Sequence, residues 1–390
     1  MKTIKDLDLE NKKVIIRCDF NVPIADGQIT DDTRIVESLK TIQYCLEHHC
    51  RVILMSHLGR VKEEADLAKN NLAPVALHLK DLLHQEVLFS EKTRGEELEK
   101  MVDSMKPGDV LLVHNTRYED LDGKKESSND PELGEYWASL GEVFINDAFG
   151  TAHRAHASNV GIASHLPSAV GFLIEKELTA LNVLDNPPHP FVVILGGAKV
   201  ADKIGVIENL VEKADKILIG GGMSYTFLKA QGHEIGKSLL DEESLDFCKN
   251  MLAEHGDKIV LPVDYAVTHE FTNEEEYRVK GATEIAADEM GLDIGDKTLA
   301  MFEEILKTAA IAIWNGPLGV YEFEKYKKNT VELLKFAVES NIKIILGGGD
   351  IVAAATAAGY KDKVYHASTG GGATLEYLEG KGLPGIEAIH

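Results

Sequence analysis

Short runs of β-branched and aliphatic residues, each closed by a polar or glycine-rich corner and followed by a helix-like stretch, constrain this chain more than any other feature. In the first half they are VIIRCDF (14–20), RVILMS (51–56), VLLVHN (110–115) and VFIND (143–147), with EVLFS (86–90) a weaker case. In the second half they are FVVILGG (191–197), KILIGGG (216–222), KIVLPVD (258–264), IAIWNG (311–316) and IKIILGGG (342–349), followed by a short VYHAS (364–368). Runs this apolar read as strands covered on both faces, and helices between them imply right-handed βαβ crossovers. The pattern is parallel α/β, twice. A length of 390 residues suits two or three domains, and 44% hydrophobic residues can fill real cores.

The break falls near residues 165–190. AVGFLIEKELTALNVL reads as one amphipathic helix, and NPPHP (186–190) then forbids regular structure until the next strand. Such a helix could join two domains and transmit a hinge motion; the alternative is an ordinary crossover within one sheet. The expected domains are 1–168 and 188–375, with 169–187 as the connecting helix and hinge.

Charge excludes several partners. Forty-one basic against 64 acidic residues leave −23, so the chain repels nucleic acid and anionic membranes, and an anion must be gripped at a local cationic patch. Cys18, Cys45, Cys50 and Cys248 form no CxxC pair, which favours a reducing compartment. The first residues, MKTIKDLDLENKK, lack the apolar core of a signal peptide. The expectation is a soluble, cytoplasmic protein.

Ligands of open α/β sheets bind at the carboxyl ends of the strands. First-half strands are followed by RCDFN, SHLGR, HNTRY and NDAFGTAHR, whereas second-half strands are followed by GGAKVADK, GGGM, NGPLG, GGGD and STGGGAT. The two halves therefore handle different ligands. Seven of the eight arginines lie in the first 154 residues. Arg60, Arg117 and Arg154 follow strand ends directly, and Arg34 lies in the connection after the first strand. Recurring guanidinium groups in an acidic chain point to a clamp for a small polyanion. Arg17, Arg51 and Arg94 read as structural. His57 and His153 stand beside the clamp as donors or as an acid or base; HRAH (153–156) has no partner at metal-ligand spacing.

Glycine after a strand lets backbone N–H groups approach phosphate. Lys199 and Lys203, four apart, would share a helix face and point two ammonium groups at an anionic chain such as ADP or ATP. STGGGAT (368–374) resembles a helix N-terminus open to a phosphoryl group, and Asp350 suits Mg²⁺ on a nucleotide. GHEIGKS (232–238) is one residue short of a Walker A loop, no GxGxxG opens the first helix of either half, and GxSxG and HExxH are absent.

Assembled in order, VIIRCDFNVP, DTRI, SHLGR, NTRY, NDAFGTAHR, LGGAKVADKI, IGGGMSYTFL, WNGPLGVYEFE, GGGD and STGGGATLEYLEGKGLPG resemble the phosphoglycerate kinase family from end to end. The resemblance implies two Rossmann-like, doubly wound parallel-sheet domains joined by a hinge helix, with residues 376–390 packing back on the first domain. It implies glycolytic, Mg²⁺-dependent phosphoryl exchange between 1,3-bisphosphoglycerate and ADP, giving 3-phosphoglycerate and ATP, by a monomer that closes about its hinge. Asp19, Phe20, Asn21, Arg34, His57, Leu58, Gly59, Arg60, Arg117 and Arg154 would then hold 3-phosphoglycerate. Arg34, Lys199, Lys203, Gly371 and Gly372 would serve the phosphoryl group in flight. Gly197, Gly221, Gly291 and Pro317 would line the adenine site, Glu322 would bind ribose, and Lys203, Gly348, Gly349, Asp350 and Ile351 would take the phosphates, with Asp350 on Mg²⁺. Three positions depart from the family pattern. Ile351 replaces a Ser or Thr, which puts nucleotide affinity in question, while His114 replaces a Glu and Val61 a Pro in loops. The rival readings are a kinase for another small phosphorylated carboxylic acid and a non-enzymatic anion-binding protein.

Overall fold

The computed structural model describes all 390 residues. Contacts divide them into one unit of Met1–Thr179 with Gly382–His390, and a second of Ala180–Lys381. The first unit contains β1 (Lys13–Arg17), β2 (Ile24–Ala25), β3 (Gln28–Ile29), β4 (Arg51–Met55), β5 (Val87–Ser90), β6 (Val110–Val113), β7 (Val143–Asn146) and β8 (Ser168–Val170). Six of these make a parallel sheet in the order β5-β6-β4-β1-β7-β8, while β2 and β3 form a small antiparallel ladder.

The uninterrupted apolar runs have the physical basis anticipated from the sequence. Successive strand residues point to opposite faces, so Val14, Ile16, Val52, Leu54, Val110 and Leu112 enter one core. Ile15, Ile53, Leu111, Val113 and Phe144 enter the other. Helices Thr33–Glu47 and Ala73–Leu83 cover the first face through Ile35, Ile42, Val75 and Leu79. Helices Glu96–Asp103 and Pro131–Ser139 cover the second through Leu98, Val102, Leu133 and Trp137. All four cysteines are buried free thiols.

The second unit contains β9 (Phe191–Leu195), β10 (Lys216–Ile219), β11 (Ile259–Val260), β12 (Asp264–Thr268), β13 (Arg278–Gly281), β14 (Met290–Ile294), β15 (Ile311–Asn315), β16 (Ile344–Leu346) and β17 (His366–Ala367). Its parallel sheet runs β11-β10-β9-β15-β16-β17, and β13-β12-β14 is a separate antiparallel sheet. No helix is long and apolar enough to cross a membrane.

Several local expectations change. KIVLPVD is not one strand: Pro262 lies between β11 and β12, because proline cannot donate to a ladder. The antiparallel sheet escaped notice since β13 is largely exposed and carries no apolar run. AVGFLIEKELTALNVL is not one helix either. Ser168–Val170 is strand β8, Gly171 closes it, and the helix spans Phe172–Leu181 before a tighter turn at Asn182–Asp185. The contact division falls inside that helix at Thr179/Ala180, within the 169–187 connector expected from the sequence. The returning segment begins at Gly382 and not at 376, since helix Gly372–Leu378 stays with the second unit. Within the first unit the Gly385 N–H donates to the Ala152 carbonyl (2.8 Å), and Asn146 Nδ2 donates to the Gly385 carbonyl (3.1 Å).

Candidate active site

At the carboxyl ends of β1, β4 and β6 the first unit assembles its cationic residues around a frame of buried asparagines. Asn115 is fully buried: its Oδ1 accepts from the amides of Leu58 (3.1 Å) and Arg117 (3.0 Å), and its Nδ2 donates to the carbonyls of Leu58 (2.7 Å) and Asn70 (2.9 Å). Asn21 Oδ1 accepts from the Gly59 amide at 2.9 Å. These bonds fix SHLGR against NTRY and DFN. Arg34 Nη1 donates to the Asn21 carbonyl at 2.7 Å and lies 3.5 Å from Asp19 Oδ1, while Arg117 Nη1 donates to the Gly59 carbonyl. Arg60 and Arg154 are exposed, and Arg117 Nε is buried with no partner. Phe20 and Leu58 turn buried side chains into the core, so only their backbones can meet a ligand.

Arg17 was read as structural, and it is wholly buried; it also reaches the site. Its Nε donates to Ser158 Oγ (2.9 Å), and its Nη2 lies 3.0 Å from His57 Nδ1. Guanidinium can only donate, so Nδ1 accepts and the His57 proton sits on Nε2. Burial first, then the charges of Arg17, Arg117, His156 and Arg34, hold the His57 pKa well below its usual value. His156 is pushed down to about 3 by burial and then by Arg17 and Arg117. Both rings are buried beside the same arginines, whose positive charge adds to the effect of burial. The signal for Arg17 in the sequence was only its place at the end of the first apolar run.

The second unit holds a cavity of about 660 Å³. Six predicted residues line it: Gly197, Gly221, Gly291, Pro317, Glu322 and Asp350. Gly221 has φ +67°, and a side chain there would press on the Gly197 backbone; at Gly291 a side chain would collide with the Tyr225 hydroxyl. Tyr225, Lys237, Leu239 and Phe271 also line the cavity, and no motif had singled them out. Gly348 and Gly349 open helix Gly349–Ala357, whose first turn carries exposed Asp350. The Ile351 side chain points away, fully buried in the core with Trp314 and Leu346. Its backbone alone is free to meet phosphate, so the loss of a hydroxyl at this position does not open the cavity wall.

Lys199 and Lys203 do not share an α-helical face. Lys199 is an extended residue before a 3₁₀ turn at Val200–Lys203, and the α-helix starts only at Ile204. Lys199 is exposed, whereas the Lys203 ammonium donates to Asn315 Oδ1, and Asn315 Nδ2 is itself tied to the Gly347 carbonyl. Burial lowers the Lys203 pKa against the opposing charges of Asp202, Asp350 and Glu379. Asn315, closing β15, thus holds Lys203 in place, a contact that the strand pattern did not mark. Gly371, at φ +52°, precedes helix Gly372–Leu378.

An arginine basin on one parallel-sheet unit and a glycine-walled cavity with a fixed lysine on another define a two-unit α/β phosphotransferase. The chain belongs to the phosphoglycerate kinase family, whose model matches residues 4–381. It is 58% identical over 390 residues to a phosphoglycerate kinase of Listeria innocua, covering 100% of this chain and 98% of that one. It is also 58% identical to one from Staphylococcus aureus over 391 residues, covering 100% and 99%. Among solved structures, phosphoglycerate kinase from Coxiella burnetii superposes with a TM-score of 0.91 at 38% identity, over 99% of this chain and 98% of that one. The Pyrococcus horikoshii enzyme gives 0.84 at 32% identity, over 100% and 98%. The chain is accordingly a glycolytic kinase with a carboxyl group as acceptor, exchanging phosphoryl between 1,3-bisphosphoglycerate and ADP.

Proposed function

We propose that the first unit holds the acid and the second the nucleotide. Asp19, Asn21, Arg34, His57, Arg60, Arg117 and Arg154 bind 3-phosphoglycerate, helped by the backbone of Phe20, Leu58 and Gly59. The nucleotide base lies among Gly197, Gly221, Gly291 and Pro317, with Glu322 on the ribose. Its phosphates meet Lys203, Gly348, Gly349 and the Ile351 amide. The observation that carries this reading is the cavity wall, where six residues expected from the sequence come together from distant parts of the second unit.

Asp350 suits a magnesium ion carried on the nucleotide, since it is an exposed carboxylate in the cavity wall and no cluster of three ligating side chains competes with it. When bound, the ion offsets charge on the phosphate oxygens. The chain's own residues do the rest. An acyl phosphate has a good leaving group and an ADP oxygen is already a nucleophile, so no general base is required. Arg34, Lys199, Lys203 and the N–H groups of Gly371 and Gly372 offset charge on the transferring group and align it. The Asn315 bond aims the Lys203 ammonium before substrate arrives. Transfer requires acid and nucleotide to meet in line with water excluded, so turnover includes a closing motion of the two units.

The test is ADP- and Mg²⁺-dependent ATP formation from fresh 1,3-bisphosphoglycerate, with Arg34→Ala as control. Calorimetry should find 3-phosphoglycerate binding lost in Arg117→Ala while MgADP binding is kept; the reverse pattern would overturn the assignment of ligands to units. The net charge of −23 supports a monomer without nucleic-acid or anionic-membrane partners, the four free cysteines suit the cytoplasm, and light scattering at working concentration tests the monomer.

A further inference from the structure

The helix Phe172–Leu181 is the element along which the chain passes from one unit to the other. The first N–H groups of any helix lack intrahelical partners. Here the Phe172 amide donates to Thr41 Oγ1 (3.0 Å), and the amides of Leu173 (2.9 Å) and Ile174 (3.4 Å) donate to Asp147 Oδ1. The Thr41 hydroxyl lies against the same carboxyl. Gly171 is required beside it, because a side chain there would collide with the Asp147 carboxyl.

Thr41 shares helix Thr33–Glu47 with Arg34, and Asp147 lies in the segment that leads to Arg154, so both stand on parts of the chain that carry arginines of the acid site. Asp147 directly follows β7, its amide donating to the Arg17 carbonyl (2.9 Å), and the chain runs from it to Arg154. Thr41 stands about two turns beyond Arg34 on helix Thr33–Glu47. Asp147 is fully buried, and its Oδ2 has no partner. A buried carboxyl with an unsatisfied oxygen is costly, and Asp147 is not among the residues proposed to touch either substrate.

We propose that Asp147, assisted by Thr41, is a positioning residue for phosphoryl transfer: it locks the start of the connecting helix to the arginine-bearing elements of the first unit. This rests on the assignment of acid and nucleotide to separate units, which the single-substrate affinities of Arg117→Ala check first. Loosening the lock impairs the step that needs both substrates and leaves each affinity alone. In Asp147→Ala, kcat should fall by roughly ten- to a hundredfold, while calorimetric affinities for 3-phosphoglycerate and MgADP, each measured alone, stay within about twofold of wild type. Asp147→Asn keeps the accepting Oδ1 and should restore most of kcat. Wild-type kcat in folded Asp147→Ala overturns the proposal. So does a loss of 3-phosphoglycerate affinity that matches the loss of kcat, since the residue would then only shape the acid pocket. If Asp147→Ala does not fold, Thr41→Val decides: reduced kcat with both affinities kept supports the lock, and unchanged kcat refutes it.

Discussion

Burial raises the Asp147 carboxyl pKa to about 7, with Glu37 adding to the rise and the bonds from Thr41, Leu173 and Ile174 opposing it. Its ordinary value is 3.8. Between these two pH values the unfolded chain has released the proton and the folded chain has kept it, so the folded state binds more protons and stability falls as pH rises. The drop is complete above pH 7 and absent below the ordinary value. A shift of about 3 units at about 1.4 kcal/mol each gives a total near 4 kcal/mol. Asp147→Asn removes the titration while keeping shape and the accepting oxygen. From pH 5 to pH 8, the variant should therefore gain about 3 kcal/mol relative to wild type. The chain has two tryptophans, and Trp137 lies in the first unit's core. Guanidinium unfolding followed by Trp137 fluorescence, with Trp314→Phe in both members of the pair, reads the right unit. A stability difference that stays constant across this range would show that Asp147 is ionised throughout, and the reasoning from burial would fail.

Three further outcomes are expected. Arg34→Ala and Lys203→Ala should each lower kcat by roughly 10²–10⁴-fold with the fold intact; near-normal turnover in a folded variant would remove that role. Ile351→Ser should leave calorimetric MgADP affinity unchanged and lower stability by about 2–4 kcal/mol, because it puts a hydroxyl and a void in a full core; tighter MgADP binding would mean that the side chain reaches the phosphates. The His57 Cε1 proton should show no titration by NMR between pH 5 and 8, since burial first and then the surrounding cations hold the ring neutral. A midpoint in that window would contradict the Arg17 contact.

Strand-end chemistry was legible because parallel sheets make it so: apolar runs mark the strands, and whatever follows each run lies at one sheet edge. That logic found β5 despite its weaker pattern, and it found Gly197, Gly221 and Asp350 of the cavity wall, whereas Gly291 and Glu322 came only from the family resemblance. It failed where tertiary pairing set the structure. β8 is three residues long and merges in sequence with the helix after it, while β13 is exposed and polar. It also failed where function depends on burial. Arg17, Asn115 and Asn315 act by holding other groups, and nothing in their spacing separates a holding residue from a binding one. The Lys199–Lys203 argument took a four-residue spacing for an α-helix, whereas the local backbone is extended and then 3₁₀.

Depth of burial separates the roles within the arginine set. Arg60 and Arg154 are exposed, Arg34 and Arg117 are half-buried and tied to carbonyls, and Arg17 lies wholly inside. In the proposed acid site an anion would meet exposed guanidinium groups first and carbonyl-tied ones last, so the ordering cost would fall on the outer pair. The innermost charge has a second effect. Burial first, and then Arg17 by donating to His57 Nδ1 and adding its field, keep that ring neutral with its proton on Nε2. The basin gains a directed donor without a further positive charge that its neighbours would repel. A lysine at position 17 would lack the planar fork that reaches Ser158 and His57 together, which is why the identity of this buried cation, and not its charge alone, matters to the site.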